Sequence, residues 1–521
     1  MTRAGKPTSK ASRNKAWVLA RKITQYVMLA VFLLFFLFSR RDGGWSPTLV
    51  NLPFRLDPLV MLANLLTSRI FLAGSAVALI TIALTLVFGR AWCGWICPLG
   101  TVLDLFPLKK ARGRRPAPKQ GWRKIKYLLL IATLAAALFG SPSLLVFDPL
   151  TILYRTLTVS LLPALDRVVL GLEQLLFRLP FLSAPVASFD AFLRPALLPV
   201  TPANFRAGLL FAVLFLAVIA LNIFAERFWC RYLCPLGGML GWLSKIALFR
   251  RVVDEKCTGC VLCTQRCPTG TIDPAKNYAS DPEECTLCLD CLESCPHSRI
   301  SFLPRLPKPA WQTYDPGRRE FLTTLGLTAA AVVLTKPIQL SGQEPPFLLR
   351  PPGVREINPD AFSLTRCIRC GECMRTCPTN ALQVGVWESG LEGFGTPILV
   401  PRLGYCDFSC NACGQVCPTG AIPPLALEEK RLQVIGKAYI DENRCIPYAD
   451  DTNCFVCEEM CPLPQKAITL VEKGSGTGRG HGSGGVQVPV VNRELCTGCG
   501  ICEYYCPVGG ESAIRVYIPS A

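Results

Sequence analysis

Long runs of uncharged, mostly apolar residues dominate the first half of the chain. They cover residues 23–39, 70–89, 127–147 and 207–225. About 20 apolar residues in a helix cross a bilayer core of roughly 30 Å. The pattern therefore predicts an α-helical membrane domain with four spans. Within residues 161–179 the polar residues recur on roughly one helical face, which favours either a helix lying in the membrane interface or a buried connecting helix.

Charge is distributed unevenly and indicates how the predicted spans are oriented. Residues 1–126 contain 21 Lys and Arg against 3 Asp and Glu, whereas residues 337–521 contain 15 against 19. Basic residues cluster before the first span and at residues 109–126, and such loops stay in the cytoplasm. Residues 40–69 and 148–206 are then expected outside. We assign the positive charge to topology and expect no nucleic-acid partner.

The membrane half contains an internal repeat. The sequence RAWCGWICPLG ends the second span and RFWCRYLCPLG ends the fourth, with seven of eleven positions identical. An Asp-Pro-Leu sequence follows the first span of each pair, at Asp57 and Asp148. Both units run the same way through the membrane, so they form two parallel repeats, and binding sites in such proteins often lie between repeats.

The repeated motifs supply four thiols close to the cytoplasmic face, on Cys93, Cys97, Cys230 and Cys234. Together these thiols could ligate iron or act as a redox dithiol. The alternative is that they are packing residues at the end of a helix, because free cysteine is readily buried. A stable disulfide is disfavoured by the reducing cytoplasm.

The two repeated aspartates are weaker candidates for a functional role. Asp57 and Asp148 could accept protons at the outer surface. Asp followed by Pro is also an ordinary helix start, with Asp as the N-cap and Pro in the first turn. No quinol-binding residue can be identified from the sequence.

The other 24 cysteines form six sets of four, and a proline follows the last cysteine of every set. The sets are Cys257, Cys260, Cys263 and Cys267; Cys285, Cys288, Cys291 and Cys295; Cys367, Cys370, Cys373 and Cys377; Cys406, Cys410, Cys413 and Cys417; Cys445, Cys454, Cys457 and Cys461; and Cys496, Cys499, Cys502 and Cys506. This spacing is typical of ferredoxins, in which the fourth cysteine of one set ligates the cluster of its neighbour. The sequence predicts six 4Fe–4S clusters in α+β ferredoxin-like modules, with zinc as the main alternative.

Sets that exchange their fourth cysteine must lie side by side. Only 17 residues separate the first two sets. We therefore expect one cluster on Cys257, Cys260, Cys263 and Cys295 and a second on Cys285, Cys288, Cys291 and Cys267. Among the last four sets we favour a nested arrangement, third with sixth and fourth with fifth, over pairing of consecutive sets.

Composition limits the other cofactors. The two histidines, His297 and His481, lie outside the predicted spans, so paired membrane histidines cannot hold haem b, and no CxxCH sequence exists for haem c. Residues 474–485 have glycines at GxGxxG spacing, but the segment is rich in Gly and Ser and has no strand before it. This indicates a flexible linker. We expect no haem and no nucleotide.

A second targeting signal is predicted in mid-chain. Arg318 and Arg319 precede the apolar residues 321–335, and twin arginines before a modest apolar segment mark the export of folded proteins. The segment is short for a fifth span, and a helix packed on a ferredoxin module is the alternative. The predicted domains are a membrane domain at 1–250, a two-cluster ferredoxin module at 251–305, a twin-arginine segment at 306–340 and a four-cluster ferredoxin-type domain at 341–521.

These motifs together resemble a known pair of proteins. The first 300 residues, with two CxxxCPLG motifs and a two-cluster ferredoxin, resemble NapH. The part from Arg318 onward, with a twin-arginine signal and four cysteine sets, resembles NapG. Both are iron–sulfur quinol dehydrogenase components of the periplasmic nitrate reductase type, so the chain resembles a NapH–NapG fusion. The resemblance implies quinol oxidation in the membrane with electrons passed to periplasmic acceptors.

We therefore expect a multi-pass protein of the bacterial inner membrane that passes electrons from the quinol pool through 4Fe–4S clusters to a periplasmic or membrane cytochrome or reductase. The first ferredoxin module is expected in the cytoplasm and the residues after about 340 outside. Its enzymatic role would be that of a quinol dehydrogenase component. The alternatives are a reductant in the maturation of a partner metalloenzyme, or a wiring subunit without its own quinol site.

Overall fold

The computed structural model describes residues 9–39, 46–71, 73–106, 120–196, 198, 202–306, 311–335, 347–354, 365–473 and 485–518. The glycine-rich segment 474–484 with His481, the basic residues before Ser9 and at 109–119, and residues 336–346 after the twin-arginine segment lie outside this range. The chain divides into two compact units. The first consists of Met1–Leu37, Thr48–Tyr154 and Ala212–Val332, and the second of Phe38–Pro47, Arg155–Phe211 and Val333–Ala521.

The first half of the chain is helical, as the apolar runs predict. Its α-helices are α1 Ser9–Phe38, α2 Pro47–Val50, α3 Leu52–Arg55, α4 Pro58–Ser68, α5 Ala78–Phe88, α6 Pro98–Leu105, α7 Lys124–Leu138, α8 Pro149–Thr156, α9 Leu162–Leu176, α10 Ser183–Ala196, α11 Gly208–Ala220 and α12 Pro235–Ser244. Short 3-10 turns precede α5 at Ala73–Val77 and α8 at Ser143–Phe147.

Four membrane-spanning helices are not supported by the helix lengths. Among the described residues, Arg13–Phe38 alone is long and apolar enough to cross a membrane, and the other apolar helices are shorter. In the run 127–147, α7 ends at Leu138 because Gly140 takes φ +84° and Pro142 cannot continue a helix. The 15 residues of α7 rise about 22 Å, short of the roughly 30 Å of a bilayer core.

The two CxxxCP motifs fold alike. Each forms a π-helical turn, at Trp92–Ile96 and Trp229–Leu233, and the next helix then starts at the proline. Proline suits the first turn of a helix and forces the residue before it into an extended conformation. The second cysteines accordingly have ψ of 116° at Cys97 and 112° at Cys234, and they occupy the N-cap positions of α6 and α12.

The first two cysteine sets lie in a small α+β module within the first unit. Strands β1 Phe249–Val253 and β4 Ile300–Pro304 pair antiparallel, with Val253 opposite Ile300. The remaining elements are helices α13 Leu262–Arg266 and α14 Asp290–Glu293 and the hairpin of β2 Ile272–Asp273 with β3 Ala279–Ser280. After the module, the twin-arginine segment forms helix α15, Arg318–Thr335.

The last four sets lie in the second unit, whose described residues form three antiparallel two-stranded sheets. The strands are β5 Leu382–Val384 with β6 Pro397–Leu399, β7 Lys437–Ile440 with β10 Ile514–Tyr517, and β8 Ile468–Glu472 with β9 Gln487–Val491. Short helices lie between them: α16 Glu372–Thr376, α17 Gly390–Gly393, α18 Ala412–Gln415, α19 Leu427–Leu432, α20 Ile446–Ala449, α21 Val456–Glu459 and α22 Ile501–Tyr505. These elements confirm the predicted ferredoxin-like modules.

The two ends of the segment 155–211 pack against these modules. Val159, Phe205 and Phe211 share one hydrophobic core with Leu382 and Ile514, among others. Polar contacts also hold this segment against the module, since the backbone carbonyl of Asn204 accepts hydrogen bonds from the side-chain amides of Asn380 and Gln383, at 2.8 and 3.0 Å. A segment predicted to lie outside thus belongs to the same unit as the domain predicted to be exported.

Helix α9 is arranged inside out. Its acidic residues Asp166 and Glu173 are buried, and both contact the guanidinium of Arg194 on α10, at 3.5 and 3.2 Å. The apolar residues Leu165, Val168, Leu172 and Leu175 are instead exposed. Helix α9 therefore exposes an apolar face, and its location in a membrane interface stays a prediction.

Candidate iron–sulfur sites

The first two sets exchange their fourth cysteines as predicted. Cys257, Cys260 and Cys263 line one cavity together with Cys295, which is the last cysteine of the second set. Reciprocally, the thiol of Cys267 interacts electrostatically with those of Cys285, Cys288 and Cys291. The arrangement therefore offers two groups of four thiols, each drawn from both sets.

The last four sets pair consecutively, so the nested arrangement is wrong. One cavity is lined by Cys367, Cys370, Cys373 and Cys417, and a neighbouring one by Cys377, Cys406, Cys410 and Cys413. A further cavity is lined by Cys445, Cys454, Cys457 and Cys506. Cys461 completes the exchange, since its thiol interacts with that of Cys499 beside Cys496.

The hairpins explain the consecutive pairing. The chain between the third and fourth sets forms β5 and β6, and the chain between the fifth and sixth sets forms β8 and β9. An antiparallel hairpin returns the chain to its starting point, so each hairpin carries the next set back beside the previous one. The β2–β3 hairpin does the same between the first two sets.

The loops between the cysteines need glycine where backbones meet. Gly498, between Cys496 and Cys499, has φ +72°, and a Cβ atom added there would lie 2.3 Å from the carbonyl oxygen of Gly436. An L-residue is unfavourable both for that dihedral angle and for that contact. The tight backbone approach holds the sixth set beside β7.

The surroundings of the thiols suit a cluster that carries negative charge. Backbone N–H groups point at sulfur: that of Arg299 at Cys295 Sγ (3.3 Å), that of Ile422 at Cys417 Sγ (3.4 Å) and that of Ala438 at Cys496 Sγ (3.4 Å). Such hydrogen bonds tune the reduction potential of iron–sulfur clusters. They are supplied by the backbone and therefore have no signature in the sequence.

Burial makes these cysteines poor free thiolates. It raises the pKa of Cys457 and of Cys499 to about 12. Metal ligation requires the thiolate, and a bound cation provides the charge that stabilises it. The thiols therefore fit a metal-containing group that is assembled in place. In the described part of the chain, no three His, Cys, Asp or Glu side chains stand close enough to hold a single metal ion.

The four thiols of the repeated motifs are brought together in the first unit. Cys93, Cys97, Cys230 and Cys234 are between 4% and 7% exposed. The thiol of Cys234 interacts electrostatically with those of the other three. The sequence suggested that these four thiols act together and left a simple packing role as the alternative. The structure brings the four thiols together.

Asp57 and Asp148 are helix N-caps. This is the alternative that the sequence offered to a role as proton acceptors. The carboxylate of Asp57 accepts hydrogen bonds from the backbone N–H groups of Leu59 and Val60, at 2.8 and 3.3 Å. Asp148 accepts the equivalent pair at the start of α8, at 2.9 and 3.0 Å. Both side chains are fully buried, so neither carboxylate lies at a surface. A role in proton transfer stays a prediction.

A buried network of charged side chains connects the second cysteine set to helix α7 and to the first CxxxCP motif. No sequence pattern indicated this network. Glu284 lies 2.5 Å from the Nζ of Lys126 and 3.3 Å from the guanidinium of Arg90. Its neighbour Glu283 accepts a hydrogen bond from the hydroxyl of Tyr127 at 2.9 Å, and burial raises the pKa of Glu283 to about 7. This network positions the loop that begins at Cys285.

A large apolar cavity was also missed from the sequence. It has a volume of about 840 Å³ and lies between α1, α5, the first π-helical turn, the loop of the second cysteine set and β4. Its lining includes Leu84, Trp92, Trp95, Leu287 and Phe302. These residues come from separate parts of the chain, so no local motif announces the cavity. The indole N–H of Trp95 donates to the backbone carbonyl of Leu287 at 3.0 Å, which joins two of its walls.

Family models match both halves of the chain. A 4Fe-4S binding domain matches residues 70–115 and 207–254, which contain the two CxxxCP motifs. A 4Fe-4S dicluster domain matches residues 366–421 and 444–510. The second pair of matches agrees with the consecutive pairing of the last four sets.

Curated proteins similar to the chain are ferredoxin-type proteins. The methylamine utilization ferredoxin-type protein MauM of Methylorubrum extorquens is 36% identical over 211 residues, which are 39% of this chain and 89% of MauM. The ferredoxin-type protein NapG of Escherichia coli is 35% identical over 209 residues, 38% of this chain and 85% of NapG. NapF of Escherichia coli is 29% identical over 166 residues, 32% of this chain and 84% of NapF. No solved structure matches the chain.

Proposed function

Because the chain belongs to the family of ferredoxin-type iron–sulfur electron-transfer proteins that includes MauM and NapG, we propose that it carries electrons from membrane quinol to a periplasmic cytochrome or reductase. The four thiol-lined cavities and the two further groups of four thiols support six 4Fe–4S clusters on the 24 cysteines. Each cluster transfers one electron at a time, so the array separates the two electrons of a quinol.

The apolar cavity of about 840 Å³ carries the proposal of a quinol site. Ligand sites are typically cavities of about 300–1,000 Å³, lined by apolar and aromatic side chains with a few polar groups. Here the polar groups include Arg13, Asn14 and Ser301. Leu287 and Leu289 on the wall flank Cys288, so a quinone ring in the cavity would lie beside the second set.

Exposed apolar surface supports a membrane location. The apolar window of α1 is only 22% buried. On α11, Leu209, Val213 and Leu216 are exposed, and α9 exposes its leucine face. Contiguous apolar surface of this kind marks contact with a membrane or partner. We propose that α1 anchors the chain and that the shorter apolar helices lie within or along the bilayer.

The composition of the two units supports the proposed sidedness. Residues 155–211, expected outside, share a unit with the four later sets, and α7, which follows the basic loop, shares a unit with the first two sets. In the unit that contains the first two sets, Arg123 donates hydrogen bonds to the backbone carbonyls of Thr269 and Gly270, at 3.0 and 2.9 Å. We propose that the first two clusters face the cytoplasm and that the twin arginines of α15 direct export of the remainder, as in a NapH–NapG fusion.

A filled cavity tests the quinol site. Ala91 lines the cavity, and the equivalent position of the second repeat is Phe228. Ala91→Phe therefore introduces a side chain that the repeat already accepts, and it should slow the reduction of the clusters by a short-chain quinol at least tenfold, that is about 1.4 kcal/mol. Leu209→Phe places the same phenylalanine side chain on exposed α11 and is the control.

The assay follows the bleaching of cluster absorbance in detergent-solubilised full chain under anaerobic conditions, and dithionite gives the total that can be reduced. Equal rates for Ala91→Phe and Leu209→Phe would remove the cavity as the quinol site. No reduction by quinol in the unaltered chain would refute the dehydrogenase role. It would favour a wiring subunit, or a reductant in the maturation of a metalloenzyme if a deletion strain accumulates a partner lacking its metal.

A further inference from the structure

The two CxxxCP motifs interlock through an exchange of arginines. Arg90 of the first motif donates from Nη2 to the backbone carbonyl of Cys230, at 3.3 Å. Arg227 of the second motif donates from Nη1 to the backbone carbonyl of Cys93, at 3.0 Å. Each arginine is buried and reaches across to the opposite repeat. The exchange fixes the two cysteine pairs against each other.

The second cysteine of each pair lies at the N-terminus of a helix. The backbone N–H of Gly237 points at Cys234 Sγ at 3.2 Å, and Cys97 occupies the corresponding N-cap position of α6 without such a side-chain hydrogen bond. A helix N-terminus carries partial positive charge and favours a thiolate. Gly100 and Gly237 are also needed for close packing, since an added Cβ would lie 3.1 Å from the carbonyl oxygen of Cys93 at Gly100 and 3.3 Å from that of Cys230 at Gly237.

We propose that Cys93, Cys97, Cys230 and Cys234 together hold a seventh iron–sulfur cluster between the two repeats. Four buried thiols match the ligand count of such a cluster and its preference for soft sulfur donors. Each match to the 4Fe-4S binding domain contains only two cysteines, so the two repeats must combine to complete one site. Among the described residues no three such side chains are placed to hold a single metal ion, whereas a multi-iron cluster spans a wider group.

The proposed cluster would lie next to the second cysteine set. A Cβ added at Gly94, between the two cysteines of the first motif, would lie only 1.9 Å from the carbonyl oxygen of Thr286. Arg227 interacts electrostatically with both Cys230 and Cys288. One electron can therefore pass from the cluster of the second set, which becomes oxidised, to the seventh cluster, which becomes reduced, without transfer of a proton. The direction of this transfer rests on the proposed function, whereas the ligation does not.

The test replaces the two N-cap cysteines by serine in the full chain, purified without oxygen. Serine is a preferred N-cap residue, so Cys97→Ser/Cys234→Ser preserves both helix starts while removing two soft ligands. We expect this variant to lose about four of about 28 irons, with a matching loss of sulfide. It should also lose one component of the EPR spectrum on reduction, while the midpoint potentials of the other components stay unchanged.

Thr101→Ser is the matched control, because Thr101 is buried one helical turn after Cys97 and donates to the backbone carbonyl of Cys97 at 3.3 Å without being a ligand. Iron, sulfide and EPR equal to those of the control would overturn the proposal. So would a copper or zinc content that falls with the cysteines, or a disulfide among the four in the unaltered chain.

If the double variant cannot be purified as a folded protein, the single variant Cys97→Ser provides the test of the seventh cluster. One oxygen ligand in place of sulfur should shift the g values and midpoint potential of a single component, and an unchanged spectrum would overturn the proposal. None of these measurements uses quinol. A chain that holds the seventh cluster but is not reduced by quinol therefore refutes the proposed function and leaves this inference standing.

Discussion

The buried pair of Lys126 and Glu284 should be a main support of the first unit. Both side chains are 0% exposed and 2.5 Å apart. Lys126→Met keeps the volume of the side chain but leaves Glu284 with Arg90, at 3.3 Å, and with the electrostatic interaction of Arg123. Removing one partner of a buried ion pair costs about 3–5 kcal/mol, and we expect about 3 kcal/mol because Arg90 remains. For a unit of this size that corresponds to a fall in Tm of about 6–12 °C.

The loss of cluster absorbance on heating, at one scan rate, measures the effect. Lys466→Met is the control, because its pair with Glu458 has nearly the same length, 2.6 Å, but is 39% and 22% exposed, and exposed pairs contribute about 0–1 kcal/mol. Lys126→Met/Glu284→Gln should not recover the lost stability, because Arg90 then loses its carboxylate partner and remains as a buried cation. A shift for Lys126→Met no larger than that of the control would refute this account of the network.

Three further outcomes follow from the later sets and the topology. Gly498→Ala should destabilise the second unit by more than about 1 kcal/mol, whereas Gly509→Ala, which meets nothing within 4 Å, should have little effect on the Tm. Cys417→Ser and Cys370→Ser should alter the same EPR component, because both line one cavity; changes in different components would contradict the consecutive pairing. Protease added to intact spheroplasts should remove the part beyond about residue 340, and protection until the membrane is broken would place all clusters in the cytoplasm.

The cysteine spacing predicted the local part of each site well. Three cysteines spaced by two residues lie in one short loop and therefore bind the same cluster. The assignment of Cys257, Cys260 and Cys263 to one cavity needed no tertiary information. The origin of the fourth cysteine depends on how the chain returns. For Cys417 and Cys506 that return is made by the β5–β6 and β8–β9 hairpins, whose short strands give weak sequence patterns.

The apolar runs predicted helices but overestimated their lengths. A count of uncharged residues does not register where a helix must stop, and Gly140 and Pro142 interrupt the third run although neither is charged. Likewise Glu284 gives no sign in the sequence that it lies in a fully buried site between Arg90 and Lys126. Contacts between residues more than 150 positions apart decide both the network and the apolar cavity.

The cavity and the proposed seventh cluster share one structural element, the first π-helical turn. Trp92, Trp95 and Ile96 line the cavity, while Cys93 of the same turn and Cys97 directly after it face the second repeat. The loop of the second set forms another wall of the cavity through Leu287. A quinol in this cavity would therefore border two one-electron acceptors at once. Because a quinol must lose two electrons, two adjacent acceptors allow both to leave before either cluster has to be reoxidised, so Cys97→Ser/Cys234→Ser should slow the second electron more than the first.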